Sequence, residues 1–230
     1  MIKRLALLCL CASPAAAEEL FTPPAGCTPK LTIQTRSCLV EHIYTCAADA
    51  PGDQWRAVLN AEGPFFISRI DAEAQWMESF EVLAGVTTQL RPPAEDPASL
   101  SELLDTGIDS FDFVQITGGR VVRVVGFDRL TGEDVVIDGE PLLGTQFSVR
   151  YEDLQGVYLK VEGTEYVSVK HRRFIGGLGT RTIPREVGGD VVEERNYTPV
   201  EFIYPGEEGF FAMTPKYDCE TTLAAYRDRS

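Results

Sequence analysis

Histidine is scarce in this chain, with His42 and His171 the only imidazoles in 230 residues. No G-x-S-x-G string accompanies them, so nucleophilic catalysis by Ser/His or Cys/His partners has little material to work with. No C-x-x-C occurs either, which leaves a structural zinc site without its usual ligand spacing. Positive charge is in deficit: 35 Asp and Glu against 21 Lys and Arg give a formal net charge of -14. Such a field repels polyanions and argues against a nucleic-acid partner. The N-terminal apolar run from Leu5 to Ala12 falls well short of the roughly 20 residues a bilayer-spanning helix needs, so the chain is not expected to span a membrane.

What the N-terminus does hold is export chemistry. Lys3 and Arg4 precede the apolar run, and small residues follow it. Ala15 and Ala17 satisfy the small-x-small rule, so residues 1–17 read as a signal peptide cleaved near Ala17, which places the mature chain in the periplasm or outside the cell. Leu8 and Leu10 precede Cys9 and Cys11, where a lipoprotein signal has a small residue. The mature chain keeps Cys27, Cys38, Cys46 and Cys219, an even number that reads as two disulfides. If 38–46 is one extended strand, its ends lie about 26 Å apart, too far for Cys38 to reach Cys46. Two pairings remain open: Cys27 with Cys46 and Cys38 with Cys219, or Cys27 with Cys38 and Cys46 with Cys219. Either staples the C-terminus to the first strands.

Residues 18–230 read as a single β-rich domain that begins with an irregular Pro- and Gly-containing arm over 18–30. The dominant period is two. In 143–151, Leu143, Phe147, Val149 and Tyr151 alternate with Gln146, Ser148 and Arg150, and Val157, Leu159 and Val161 repeat the pattern against Lys160 and Glu162. Further alternating runs occupy 38–46, 55–60, 64–71, 110–116, 120–127 and 200–204, divided by turn signals such as Gly118-Gly119, Thr131-Gly132, Asp138-Gly139 and Gly188-Gly189. One helix is signalled, over 97–105, with Asp96 as cap, Pro97 at the first position and Gly107 at the end. The segment 72–83 fits helix and strand equally. About ten strands in one sheet tend to curl or close, so the expected fold is mainly β: a large curved antiparallel sheet, as half-barrel, barrel or sandwich, with one short helix.

The strings DQWRAVLN, SRIDAEAQWMESF, GFDRLTGEDVVIDG and PVEFIYPGEEGF resemble those of an uncharacterised family of exported, cysteine-containing proteins of GC-rich Gram-negative bacteria. That resemblance implies a periplasmic β-rich protein and transfers no active-site residue.

Three local patterns bear on chemistry. VKHRRF gathers Lys170, His171, Arg172 and Arg173 into a candidate anion patch, although strand alternation would split them between two faces and surface ion pairing competes with that reading. GGLGT, from Gly176 to Thr180, fits a turn or strand bulge, because Pro184 and Gly188 break any helix that a phosphate loop would need. Asp128, Glu133, Asp134, Asp138 and Glu140 offer hard oxygen donors but lack the order of a calcium loop, and ordinary turns fit them better. No catalytic, metal or cofactor residue stands out, and the oligomeric state is not specified.

Aromatics are spread through the strands in greater number than one short helix can cover. The concave face is therefore expected to keep an apolar groove lined by Phe111, Phe113, Phe147 and Tyr151, with Leu100 and Leu104 at its rim. The function this suggests is non-enzymatic binding of an apolar small molecule, a lipid or an envelope protein. The rival is a hydrolase of an envelope polymer that works through paired carboxylates.

Overall fold

The computed structural model describes residues 19–220. The signal peptide expected over 1–17 lies outside the described residues. The strands run β1 (Cys27–Thr35), β2 (Leu39–Cys46), β3 (Gln54–Asn60), β4 (Gly63–Ile70), β5 (Trp76–Glu81), β6 (Val86–Leu90) and β7 (Ile108–Thr117). They continue with β8 (Arg120–Ile137), β9 (Glu140–Asp153), β10 (Gly156–Ser168), β11 (Arg173–Ile183), β12 (Val191–Asn196) and β13 (Pro199–Ile203), and α1 (Leu100–Thr106) lies between β6 and β7. All thirteen strands form one antiparallel sheet in the order β12-β11-β10-β9-β8-β7-β6-β5-β4-β3-β2-β1-β13. The fold is thus mainly β with one short helix, and the sheet is not closed by a ladder between its edges.

The chain itself joins those edges. Only Tyr197 and Thr198 separate β12 from β13; the Tyr197 amide donates to the Gly177 carbonyl, and the Thr198 carbonyl accepts from Arg36 N–H. A meander of twelve strands therefore ends in a thirteenth that returns to pair with the first.

Alternation explains most of the strands. In β7, Asp109, Phe111, Phe113 and Gln115 are buried while Ser110 is exposed and Asp112 and Val114 are half-buried. Two tight turns use left-handed residues in succession, Gly118-Gly119 (φ 54° and 84°) and Asp138-Gly139 (φ 49° and 76°), the geometry that suits the right-handed twist of a hairpin. The signal at Thr131-Gly132 is not a chain reversal. β8 runs straight through it, with a shift of register between Leu130 and Asp134. GGLGT likewise lies inside β11. There Thr164 pairs with Leu178 and Tyr166 with Ile175, so Gly176 and Gly177 bulge opposite Glu165. A Cβ on Gly177 would come within 2.3 Å of the Thr164 carbonyl oxygen, so only glycine fits the bulge.

The helix is shorter than its sequence signal, starting at Leu100. Ser99 caps it by accepting from Glu102 N–H, and Gly107 ends it at φ 85°. Asp96, expected as the cap, instead exchanges backbone hydrogen bonds with Asp112. The ambiguous segment 72–83 holds strand over its middle and turns at both ends: β5 pairs with β4 and β6, and Trp76 packs against Phe111 and Phe113.

Both faces of the sheet are used. Leu31, Ile33, Ile43 and Phe202 pack with Leu142 and Ile175, so the region of β9 and β11 backs onto β1, β2 and β13. The opposite side of β2 and β3 is covered by the segments around Phe21 and Phe211, whose rings join Val40, Tyr44, Ala57 and Leu59. His42 is stacked with Phe21 and Phe211, and its Nδ1 lies 3.0 Å from the Thr32 hydroxyl. Burial lowers its pKa to about 4, so it is a neutral core residue. The disulfides are Cys27–Cys46, across the β1–β2 hairpin, and Cys38–Cys219, which ties the C-terminal segment to the start of β2.

The Cys38–Cys219 bond spans 181 residues of sequence. Its loss by Cys219→Ala is expected to destabilise the protein by about 2–5 kcal/mol. Denaturant unfolding measures this as a lowered midpoint, and a change within error would show that β13 and the aromatic packing hold the C-terminal segment unaided.

Candidate functional site

A cavity of about 210 Å³ lies against the middle strands of the sheet. The alternation of β7, β9 and β10 aims Phe111, Phe113, Phe147, Val149, Tyr151 and Val161 into it, and Trp76 comes from β5. Room for the Phe111 ring depends on Gly126, its partner on β8: a Cβ there would stand 2.7 Å from Phe111 Cζ and 2.5 Å from the Ser148 carbonyl oxygen. Four of the six residues expected to line a groove, Phe111, Phe113, Phe147 and Tyr151, are on this wall. Leu100 is not, because it is buried in a neighbouring cluster with Ala74, Leu103 and Val167, against which Leu104 also packs. The approach to the helix reaches the wall only at Ala98.

Two carboxyls interrupt the aromatic lining. Asp128 from β8 and Glu165 from β10 both line the cavity and hydrogen-bond to each other. Each falls in the apolar phase of its strand: Asp128 follows Val122, Val124 and Gly126, and Glu165 stands between Val161 and Val167. Burial, followed by repulsion from Asp109, raises Asp128 from an ordinary 3.8 to about 7. Glu165 is raised as well, by burial first and then by Asp128, with Arg56 acting in the opposite sense. Asp109, directly across from Asp128 in the ladder, is pushed up to about 6, again chiefly by burial, although its Oδ2 accepts from Ser99 N–H at 3.0 Å. The pair therefore holds a proton between two oxygens near neutrality, in low-dielectric surroundings. Among the described residues no basic side chain lines the cavity.

The four basic residues of VKHRRF do not converge on one point. Lys170 Nζ donates to Glu140 at 2.9 Å and to the Tyr204 hydroxyl at 2.7 Å, and His171 Nε2 lies 3.0 Å from the same hydroxyl. Burial would push Glu140 up, but the donors Tyr204 and Lys170, with the His171 ring beside it, hold it below the usual carboxylate range. Burial pushes His171 down. Arg172 turns the other way, donating to Glu73 at 3.0 Å, to the Ser101 hydroxyl at 3.1 Å and to the Ala72 carbonyl at 3.2 Å. Glu73 also accepts from Ser101 N–H, so Arg172 latches the start of α1 to the β10–β11 turn. Arg173 is buried with its Nη1 on Gln54 Oε1 at 3.2 Å, and burial pushes its pKa down to about 10. Each of these four side chains is committed to a protein partner. The acidic stretch disperses too: Asp128 is in the cavity, Asp138 accepts from Phe202 N–H and Glu140 meets Lys170.

No family model, curated protein or solved structure matches the chain.

The raised carboxyls carry a pH signature. A carboxyl whose folded pKa lies above its unfolded one binds more protons when folded, so its contribution to stability falls as pH rises from about 4 to about 7. Asp128→Asn, which keeps the shape and removes the charge, is expected to stabilise the protein relative to the parent at pH 8, on the order of 2 kcal/mol, with the advantage vanishing near pH 4. Thermal melts of both proteins across this range check it. An advantage independent of pH would show that the pair does not titrate there.

Proposed function

We propose that this chain is a non-enzymatic binding protein that works after export, in the periplasm, and holds a small, mainly apolar molecule in the aromatic cavity. The observation that carries the reading is the cavity itself, walled by six aromatic residues on four strands and left unfilled by the protein's own side chains. Its volume exceeds the roughly 150 Å³ that accommodates benzene in an apolar protein interior, and falls below the roughly 300 Å³ lower bound of drug-sized pockets. A ligand of about ten non-hydrogen atoms suits it, whereas a whole lipid or a protein segment does not. Export agrees with the two disulfides, which persist in oxidising compartments. Among the described residues no helix is long and apolar enough to cross a membrane.

The rival, hydrolysis of an envelope polymer, is favoured by one feature: two carboxyls with raised pKa values converge. Their arrangement suits it less. Glycosidases hold their carboxyls about 5–9.5 Å apart, on either side of the sugar bond, while these two touch inside a cavity too small for a polymer chain.

Toluene is expected to bind saturably, seen as a shift of the Trp76 indole resonance, and Val149→Phe, which fills the cavity, is expected to abolish that shift while the protein stays folded. Native mass spectrometry of protein purified from the periplasm is expected to show a small adduct lost on mild activation. Absence of both signals would overturn the reading.

A further inference from the structure

We propose that the ligand is a small organic ammonium ion, whose cationic head lies between the carboxyls of Asp128 and Glu165 and the rings of Trp76, Phe111 and Phe147. This rests on the binding role proposed above and names the chemistry of its ligand. The charge of the cavity wall excludes the other ligand classes. A ligand that carries a carboxylate or phosphate into the cavity sets like charges together at low dielectric, where their repulsion is least screened. A purely apolar ligand leaves two carboxyl groups facing hydrocarbon with only each other as partner, which forfeits the solvation of both. A cation removes that penalty and is attracted to the aromatic rings as well.

The protein's own cations are withheld from this position. Among the described residues none lines the cavity. Arg56, whose field reaches Glu165, pairs with Glu41 at 3.5 Å, and Arg173 projects from the side of β11 opposite to Phe174, which is on the wall. Glu165 reaches the cavity along the regular pleat of β10, paired in register with Thr145 on β9, while the bulge opposite it at Gly176-Gly177 lies on β11. An acid pair built into an aromatic wall, with basic residues kept off that wall, is complementary to a cation that arrives from outside.

The test uses two probes of matched shape, choline and its uncharged isostere 3,3-dimethyl-1-butanol, titrated at pH 7.5 into the disulfide-bonded mature protein with the Trp76 indole resonance as readout. Choline is expected to bind roughly tenfold more tightly than the alcohol. In the double variant Asp128→Asn with Glu165→Gln, that preference is expected to disappear while the alcohol still binds, which shows that the cavity remains intact. Equal affinities for the two probes in the parent protein, or a preference that survives the double substitution, would overturn the ammonium assignment and leave the apolar cavity standing. If neither probe, nor toluene, moves the Trp76 signal, the binding role falls with it.

Discussion

The return of β13 to pair with β1 is the constraint on which the rest depends. A meander of twelve strands has two open edges, and large open sheets curl or split because each strand is rotated relative to the next. Here the curl has a definite end point. Since two residues separate β12 from β13, and β13 lies against β1, the far edge of the sheet is held beside its beginning by the chain. The register Thr32↔Ile203 and Ile33↔Phe202 then places Phe202 in the same cluster as Leu142 and Ile175. Because that cluster occupies one side of β9 and β11, the apolar side chains on the other side of β9, Phe147 and Val149, are left to face Phe111 and Phe113 of β7 around a space. The Cys38–Cys219 disulfide holds the segment after β13 to the start of β2, and so fixes the same closure from outside the sheet.

Two treatments of a buried carboxyl sit within one sheet, and the contrast between them is informative. Glu140, at the start of β9, is fully buried and receives hydrogen bonds from Tyr204 and Lys170, so its charge is favoured in spite of burial. Asp128, on the neighbouring strand and almost as buried, has Glu165 in the place where Glu140 has Lys170 and Tyr204. A protein selected for stability alone has the means to neutralise Asp128, since an Arg or Lys on β10 in place of Glu165 would do so. Leaving a proton to do that work is a standing cost to the fold above the carboxyl pKa, and such costs are retained where a site needs the group.

Much of this was legible in the sequence, for reasons that can be traced. Alternation and paired glycines mark β7, the start of β8, β9 and the hairpin turns because a half-buried strand requires a period of two and a two-residue turn requires positive φ. Phe111, Phe113, Phe147 and Tyr151 were assignable to one face on the same ground. The pairing of the cysteines was reducible to two alternatives by reach, but choosing between them requires knowing that β1 and β2 pair in the register Cys27↔Cys46, which is tertiary information. The length of β8 was hidden because Thr131-Gly132 has the composition of a turn and is absorbed as an irregularity within a strand. The helix began later than its Asp-Pro signal because the backbone of Asp96 is engaged by Asp112, a partner far enough away in sequence to be invisible locally.

Asp128 and Glu165 were missed for a different reason, and it generalises. Read by composition, Asp128 belongs to an acidic stretch, and its neighbours Glu133 and Asp134 are exposed as such a stretch should be. Read by phase, it is an acid in a column of Val122, Val124 and Gly126, and Glu165 is an acid between Val161 and Val167. Asp109, in phase with Phe111 and Phe113, is the third. A carboxylate in the apolar phase of a strand must reach an interior donor, a protonated partner or a ligand, since burial without one is prohibitive. The three lie on β7, β8 and β10 of a meander, so the strand of Asp128 neighbours that of Asp109 and is one strand removed from that of Glu165, and acids in the apolar phase of such strands come together wherever the register allows. Phase, more than local acidity, is therefore the sequence property that marks this site.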